Sequence, residues 1–329
     1  MNYRPPLRFL GRLLLVLAAA ELLPAACALI YAEYAAVGAF VATSALTALC
    51  GGCLIYLGRG DGQLYRREGF LIVVGGWVLA SLFGALPYLL TGTFSSPADA
   101  LFESASGFTT TGASVMGDIE SNGRGILFWR SFTQWLGGMG IIVLFVALLP
   151  ELGAGARFLY RLEVPGPTAE TLHPKVHETA AVLWKIYLLL SLVQVVLLLL
   201  AGLDLYNALT HTFSTLSTGG FSPRNASVGS FDSPWVEIIV VVFMVMAGAN
   251  FSLYFGLRRL GGWRSLLADV EFRIYLGLIF GVSFLITWDL VSAGVYGEGG
   301  GTPRAFLDSL FQVSGILTTT GFGTADYDA

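Results

Sequence analysis

The chain has 329 residues, of which 55% are hydrophobic and only 12% are charged, and its net charge is −4 at pH 7. A soluble domain carries about 25% charged residues, so this composition excludes an ordinary soluble protein and indicates a membrane protein with several spans. The net charge is small and the basic residues cluster in short loops, so the sequence shows no basic face for nucleic acid.

Seven apolar stretches are long enough for membrane-spanning helices, which need about 20 residues. In chain order they are predicted at roughly 8–31, 34–57, 69–91, 125–150, 178–202, 234–257 and 271–294. The first begins with basic residues, as a signal peptide does, but its apolar run continues past any cleavage point and predicts an uncleaved span. The cysteines Cys27, Cys50 and Cys53 lie in or beside these runs. We interpret "CGGC" as small residues closing a span, since nothing nearby completes a metal or disulfide site.

Basic residues predict the orientation of the spans. They precede the first span or lie between later spans: Arg4, Arg8, Arg12, Arg59, Arg66, Arg67, Arg157, Arg161, Lys175, Arg258, Arg259, Arg264 and Arg273. If the spans alternate, all lie on one side, which the positive-inside rule identifies as the cytoplasm. The N-terminus is then cytoplasmic too. Arg130 and Glu237 fall near the outer ends of spans, where we expect their side chains to snorkel toward water, and we interpret the span centres as free of acidic residues.

Three long segments on the opposite side, about 92–124, 203–233 and 295–329, each begin with an apolar stretch too short to cross a membrane. Each stretch has a helix-start signal: Ser96 before Pro97, Asp204, and Thr302 before Pro303. Such residues cap helix N-termini, and proline favours the first helical turn. Each segment therefore predicts a short re-entrant helix.

A glycine-bearing phrase follows each predicted short helix and forms an internal repeat. The phrases read "TTTGAS" from Thr109, "STGGFS" from Ser217 and "TTTGFG" from Thr318. We align them on Gly112, Gly220 and Gly321, which lie 108 and 101 residues apart. The adjacent glycine, Gly219, leaves a one-residue slip of the second phrase as an alternative. The repeating unit is then a span, a re-entrant helix, an extended phrase and a second span.

The phrases carry the residue types of an ion site built from uncharged oxygens. A re-entrant helix directs the partial negative charge of its C-terminus inward, and glycine lets the backbone turn so that carbonyl oxygens line up. Several such turns around one axis could replace the hydration shell of a monovalent cation. A divalent-cation site would more often use carboxylates, and no phrase has one between its threonines and glycine. Packing of small residues between helices is the alternative, which three equally placed phrases disfavour.

Five segments together resemble a known family: "SASGFTTTGAS", "WLGGMGIIVL", "HTFSTLSTGGFSPRNAS", "GANFSLYF" and "TTTGFGTADYD". They are similar to the TrkH membrane subunits of the bacterial Trk/Ktr potassium-uptake superfamily. The resemblance runs from the third predicted span to the end of the chain, and the two additional N-terminal spans fit the TrkH branch.

The resemblance implies an all-α integral membrane fold of repeated span–pore helix–span units around a pseudo-fourfold pore axis. The implied parts are two extra spans at 1–58, a first pore unit at 59–157, a second at 158–264 and an incomplete third at 265–329, without a fourth. The implied potassium-binding filter residues are Thr110, Thr111, Gly112, Thr218, Gly219, Gly220, Thr319, Thr320 and Gly321. Their main-chain carbonyls would be the ligands.

The resemblance also implies the context of the protein. It implies a bacterial inner-membrane location, a homodimer, and a cytosolic nucleotide-binding regulatory subunit of the TrkA type. It implies no enzymatic activity and no cofactor on this chain, with K⁺ as the transported ion. The chain ends just after its third phrase, so we expect a truncated form that is inactive alone. The alternative function is a Na⁺- or H⁺-coupled secondary transporter with a site at the membrane midplane.

Other candidate residues have weaker signals. His173 and His177 in "HPKVH" could share a metal, but no further ligand lies close. Asp99 and Asp308 could attract cations to the mouth of a pore or stabilise helix N-termini. We expect His211 to make a structural hydrogen bond, and "WLGGMG" to serve close helix packing more than pore lining.

Overall fold

The computed structural model describes residues 3–60, 66–140, 176–250, 253, 268–296 and 301–325, and their regular structure is helical. The helices of known bounds are α1 (Arg4–Ala20), α2 (Leu22–Ile30), α3 (Tyr34–Leu57), α4 (Arg66–Leu90), α5 (Pro97–Phe108), α6 (Arg124–Gly138), α7 (Val176–Leu200), α8 (Leu205–Leu216), α9 (Pro234–Gly248), α10 (Val270–Ser292) and α11 (Thr302–Leu317). A 3₁₀ helix covers Ser227–Phe231. The chain divides into two compact units, Met1–Lys185 and Ile186–Ala329, with the boundary inside α7.

Five of the predicted spans are helices long and apolar enough to cross a membrane. They are Arg4–Ile30 (α1 and α2 together), Tyr34–Leu57, Arg67–Leu90, Ala181–Leu200 and Val270–Ser292. The predicted spans 125–150 and 234–257 begin with α6 and α9, and their later residues lie largely outside the described part of the chain. Large apolar side chains are exposed on these helices, for example Leu192, Leu285 and Trp288. Such surfaces suit contact with lipid.

Within the first unit, α1 and α3 cross with their backbones in contact. A Cβ atom added to Gly11 would lie 2.5 Å from the Gly51 carbonyl oxygen, and one on Gly51 would lie 2.8 Å from the Gly11 oxygen. Elsewhere along the same helix pair, the Ser44 hydroxyl donates a 2.7 Å hydrogen bond to the Ala18 carbonyl. Small residues at the contact are typical of paired membrane helices. This packing agrees with our interpretation of "CGGC", whose two cysteines are free thiols.

Glu21 corrects the prediction that the span centres carry no acidic residue. Glu21 lies between α1 and α2 and is fully buried, and the Thr47 hydroxyl donates to its Oε1 at 3.4 Å. The prediction was wrong because one carboxyl group barely changes the mean hydropathy of a leucine- and alanine-rich run.

Trp129 of α6 is the centre of the remaining packing in the first unit. Its residue is fully buried, and its indole N–H donates to the Gly84 carbonyl of α4 at 3.0 Å. Its ring makes edge contacts with Phe40 of α3 and Phe108 of α5, at centroid distances of 6.3 and 6.1 Å. One aromatic side chain thus joins four helices and fixes the position of the short helix α5.

Glu33, in the turn before α3, caps the N-terminus of α6. Its Oε1 accepts the Arg124 N–H at 2.6 Å and its Oε2 accepts the Gly125 N–H at 3.0 Å. The residue preceding α6, Gly123, has no side chain that could do so. A carboxylate at this end also interacts favourably with the helix dipole. Glu33 therefore ties the N-terminal spans to the helix that follows the first glycine phrase.

We expect Glu33→Ala to lower the stability of the intact protein, because it removes both acceptors from the start of α6. Losing a helix cap costs about 0.5–2 kcal/mol, so the midpoint of thermal unfolding in detergent should fall by a few degrees. Glu33→Gln keeps one carbonyl acceptor, so its unfolding midpoint should lie between those of the wild type and Glu33→Ala. Equal midpoints for wild type and both variants would show that the contact contributes nothing.

The second unit has a core built by α7, α8, α9, α11 and the 3₁₀ helix. Its buried members include Leu198, Val240, Met244, Phe311 and Phe322. Helix α10 packs against α11. Because Phe322 belongs to the third glycine phrase, that phrase is anchored directly in the core of this unit.

Candidate functional site

The three predicted re-entrant helices are α5, α8 and α11, with 12, 12 and 16 residues. The caps expected at the first two form, since the Asp99 N–H donates to Ser96 Oγ and the Asn207 N–H to the Asp204 carboxylate, both at 3.4 Å. The predicted cap at Thr302 is wrong. Thr302 is the first residue of α11, and its N-cap is Gly301, which makes no side-chain bond.

The backbone after each short helix has the same conformation. Thr110, Thr218 and Thr319 have φ values of 55, 52 and 61°, and the glycines two residues later have values of 77, 76 and 75°. These glycines are Gly112, Gly220 and Gly321, whereas Gly219 has no positive φ. The dihedral angles therefore align the second phrase on Gly220 and exclude the one-residue slip.

Threonine in this left-handed region is strained, because a β-branched side chain crowds its own backbone. The cost is roughly 1–2 kcal/mol per residue for an L-amino acid. Such strain persists only where the surroundings impose it, and it concentrates at functional positions. Its occurrence at Thr110, Thr218 and Thr319 makes the three phrases candidates for a functional site.

Backbone hydrogen bonds close each helix end in a similar way. In the first phrase the Thr110 N–H donates to the Gly107 carbonyl at 3.0 Å and the Thr111 N–H to the Ser106 carbonyl at 2.9 Å. In the second the corresponding bonds run from Thr218 to Thr215 and from Gly219 to Ser214, at 3.0 and 2.9 Å. This is the Schellman arrangement, which satisfies the last carbonyls of a helix.

The third phrase keeps only one of these two bonds. The Thr319 N–H donates to Ile316, while the bond to Gly315 comes from Gly321. The second phrase has the equivalent bond as well, from the Gly220 N–H to the Ser214 carbonyl at 3.3 Å.

Carbonyl oxygens in the turns have no hydrogen-bond donor among the described residues. This holds for the carbonyls of Thr110, Thr111, Gly112, Thr218, Gly220, Thr319, Thr320 and Gly321. Thr111, Thr319 and Gly321 are exposed, and of the other residues only Thr320 is buried. Groups of unpaired carbonyls at the ends of re-entrant helices are suited to bind a cation that has shed its water.

Threonine hydroxyls stiffen the first and third turns. Thr109 Oγ1 donates to the Ala105 carbonyl at 2.7 Å, so its proton is committed and Thr111 donates to it at 2.8 Å. Thr318 and Thr320 repeat this pair at 2.7 Å, with Thr318 donating to the Ser314 carbonyl. The second turn has glycine at the position of Thr111 and Thr320. Its hydroxyl contribution is the Ser217 bond to the Ser214 carbonyl at 3.2 Å.

Within the second unit, the second and third phrases touch through their backbones. A Cβ atom added to Gly220 would overlap the Thr320 carbonyl oxygen and lie 3.5 Å from the Gly321 carbonyl carbon. Beyond the turns, the Gly229 N–H donates to the Gly323 carbonyl at 3.1 Å. The predicted filter residues of these two phrases are therefore brought together. The predicted filter residues of the first phrase lie in the first unit, directly after α5, just as the other two phrases follow α8 and α11.

A buried ion pair lies behind the first phrase, and half of it was missed from the sequence. Glu103 of α5 is fully buried, and its Oε1 accepts from Arg130 Nε of α6 at 2.6 Å. The expectation that Arg130 snorkels is wrong, since its residue is 2% exposed. Neither spacing nor hydropathy indicates this pair, because its members are 27 residues apart on different helices.

A second ionic cluster surrounds the start of α11. The Arg304 guanidinium contacts Glu237 of α9 at 3.0 Å and Asp308 at 2.9 Å, and both carboxylate side chains are nearly buried. The expectation that Glu237 snorkels is therefore wrong too. Asp308 is engaged in this cluster, whereas Asp99 is exposed. Burial and then the neighbouring Asp308 carboxylate raise the pKa of Tyr296, whose hydroxyl donates to Asp308 at 3.0 Å.

The weaker candidates have structural roles where they are described. His211 is buried and hydrogen-bonded through both ring nitrogens. Gly137 of "WLGGMG" lies on the Phe108 carbonyl, where a Cβ atom would overlap it, so this glycine serves close packing. His173 lies outside the described residues, as does the side chain of His177. Within the described ranges no cluster of three potential metal ligands occurs.

The chain is similar to several known proteins. The family model described as "TrkH: Cation transport protein" matches residues 37–329. The chain is 39% identical to the Trk system potassium uptake protein TrkH of Escherichia coli (strain K12), over 98% of this chain and 67% of that protein. It is 41% identical to the TrkH protein of Vibrio parahaemolyticus, over 99% of this chain and 68% of that protein.

A solved structure is also similar. The crystal structure of the potassium transporter TrkH from Vibrio parahaemolyticus matches with a TM-score of 0.85 and 37% identity, covering 99% of this chain and 66% of that chain. The chain thus spans about two thirds of the length of these relatives.

Proposed function

This chain belongs to the TrkH family of cation transport proteins, and from that membership we propose that it is a pore-forming membrane subunit for K⁺ uptake. The family is one of transporters and not of enzymes. The observation that carries the proposal is the repeated backbone turn, with a left-handed threonine and a left-handed glycine at equal spacing after each of three re-entrant helices.

The proposed ligands are the main-chain carbonyls of Thr110–Gly112, Thr218–Gly220 and Thr319–Gly321. Carbonyl oxygens replace the hydration shell of K⁺ in filters of this kind. The C-terminal ends of α5, α8 and α11 add partial negative charge beside the ion. The ion leaves because no full charge holds it, so the membrane potential can drive net uptake.

The remaining assignments follow the same proposal. The repeats form a pseudo-fourfold pore with the boundaries given by the sequence, in a bacterial inner membrane with the N-terminus in the cytoplasm. The relatives are named as parts of a "Trk system", which supports assembly with other components. We propose a homodimer that binds a cytosolic nucleotide-binding subunit.

One observation favours the alternative of a proton- or sodium-coupled transporter. Glu21 is a fully buried carboxyl group within a spanning segment, and intramembrane acids often bind coupling ions. The discriminating quantity is the reversal potential of K⁺ flux. It depends only on the K⁺ gradient in a channel-like pore and shifts with an imposed H⁺ or Na⁺ gradient in a coupled transporter.

The test uses the intact protein in liposomes, with K⁺ and Na⁺ flux measured separately. We expect K⁺ flux to exceed Na⁺ flux, with a reversal potential set by K⁺ alone. Gly112→Ser should reduce the ratio of K⁺ to Na⁺ flux by about tenfold, because serine at a φ of 77° costs about 1–2 kcal/mol and moves the adjacent carbonyls.

The matched control is Gly52→Ala, on α3, where an added Cβ atom meets nothing within 4 Å. It should leave the flux ratio unchanged. An unaltered ratio in Gly112→Ser at normal protein yield would remove the first phrase from the ion path.

A further inference from the structure

Two of the three turns are tied to their own pore helix by a side-chain bridge at the same place in the repeat. In the first repeat, Glu103 lies nine residues before Gly112 and Ser114 lies two residues after it. In the second repeat, His211 and Ser222 have the same positions relative to Gly220. Ser114 Oγ lies 2.9 and 3.1 Å from the Glu103 carboxylate oxygens, and Ser222 Oγ lies 3.1 Å from His211 Nε2. Each bridge spans 11 residues and closes a loop around the carbonyl-bearing turn.

In the first repeat the bridge is ionic and double. The Glu103 carboxylate accepts the Ser114 hydroxyl and the Val115 N–H, the latter at 3.0 Å. Arg130 Nε donates to Oε1 of the same carboxylate at 2.6 Å. Hydrogen bonds to a charged acceptor are roughly twice as strong as neutral ones, so the strand after Gly112 is firmly fixed to α5.

In the second repeat the bridge is neutral, because His211 is buried against Phe231 and Phe322 and burial disfavours a charged ring. His211 Nδ1 lies 2.8 Å from the Asn207 carbonyl, which can only accept, so Nδ1 carries the proton. In the neutral ring Nε2 is then the acceptor, and the Ser222 hydroxyl donates to it. The ring is held in place by Phe231 and Phe322, with centroids 5.0 and 5.9 Å away. In both bridges, therefore, a serine hydroxyl donates the hydrogen bond and the side chain of the short helix accepts it.

The third repeat uses different contacts, since its equivalent of the serine is Gly323. There the Gly323 N–H donates to Ser227 Oγ at 3.3 Å, and Thr324 Oγ1 donates to Asp308 at 3.3 Å. The segment after each turn is thus held in every repeat, by a carboxylate, an imidazole or a neighbouring loop.

We propose that Glu103 and His211 are positioning residues that set the direction of the carbonyls in the first two turns, an inference that rests on the proposed ion site. The left-handed conformations of Thr110 and Thr218 would relax if the far end of the turn were released. The bridges keep that end against the pore helix and so maintain the spacing of the oxygens. The first turn, with its ionic bridge, is the stiffer of the two.

The test removes the serine hydroxyls and leaves Glu103, Arg130 and His211 in place. In the intact protein in liposomes, Ser114→Ala should lower the ratio of K⁺ to Na⁺ flux by about tenfold and Ser222→Ala by about threefold. This order follows because a bond to a charged acceptor contributes more than a neutral one. Ser114→Thr and Ser222→Thr keep the hydroxyl and should retain the wild-type ratio.

Matched controls are Ser121→Ala and Ser230→Ala, whose exposed hydroxyls bond only to local turn carbonyls. They should not change the ratio. A purely structural role for the bridges would reduce protein yield or the flux of both ions equally, with an unchanged ratio.

If the alanine variants do not accumulate, Ser114→Cys and Ser222→Cys preserve shape with a weaker donor and should lower the ratio by a smaller factor. Wild-type ratios in the serine variants, together with a lowered ratio in Gly112→Ser, would refute the positioning role of Glu103 and His211 but would still support the proposed ion site. A wild-type ratio in Gly112→Ser as well would overturn the ion site itself.

Discussion

Gly220→Ala is expected to lower the ratio of K⁺ to Na⁺ flux by more than tenfold. The backbone at Gly220 has a φ of 76°, and the added Cβ atom would overlap the Thr320 carbonyl oxygen. The strain of the left-handed conformation costs about 1–2 kcal/mol, and relieving the overlap adds about 1–3 kcal/mol. Because the displaced atom is itself a proposed ligand, one substitution disturbs two turns.

Two other glycines make this expectation specific. Gly277→Ala on α10 adds a methyl group with no atom within 4 Å and should leave transport unchanged. Gly219→Ala tests the neighbouring glycine, which has no positive φ and stands where the other phrases carry threonine. It should change the flux ratio far less than Gly220→Ala. Equal losses at Gly219 and Gly220 would contradict the alignment of the three turns.

Arg304→Met is expected to cause a large loss of stability. It removes the cation from two carboxylates, Glu237 and Asp308, whose side chains are 1% and 7% exposed. Breaking a buried ion pair by removing one partner costs about 3–5 kcal/mol. The lower end of that range applies because Arg304 is itself 37% exposed. The midpoint of thermal unfolding of the intact protein in detergent should fall by roughly 6–12 °C.

The partner variants identify the cause of that loss. Glu237→Gln combined with Arg304→Met removes one of the uncompensated charges and should recover part of the stability. Arg273→Met, at an exposed position of α10, is the matched control and should have little effect. A double variant no more stable than Arg304→Met alone would show that lost packing, not buried charge, is responsible.

Sequence patterns predicted the features that depend on local order along the chain. Hydropathy located the five long helices, and the cap signals at Ser96 and Asp204 placed the starts of α5 and α8. The repeat placed Gly112, Gly220 and Gly321 at equivalent positions, and their φ values of 77, 76 and 75° agree with that alignment.

Tertiary contacts were beyond those patterns. Arg130 and Glu237 were predicted to reach the water interface because they fall near the ends of predicted spans. Their partners, Glu103 and Arg304, lie 27 and 67 residues away in the chain, so the sequence pattern did not reveal the ion pairs. Glu33 serves as the cap of a helix that begins 91 residues later. One available signal was the acidic residue within the apolar part of α5, since a buried carboxylate requires a partner.

The most direct test of the central claim is anomalous diffraction from crystals of the intact protein grown in Rb⁺, which substitutes for K⁺ and scatters strongly. The account predicts Rb⁺ density on the pore axis, within coordination distance of the carbonyls of Thr110–Gly112, Thr218–Gly220 and Thr319–Gly321. Rb⁺ bound only at carboxylates such as Glu21, or carbonyls of these turns that face lipid, would contradict it.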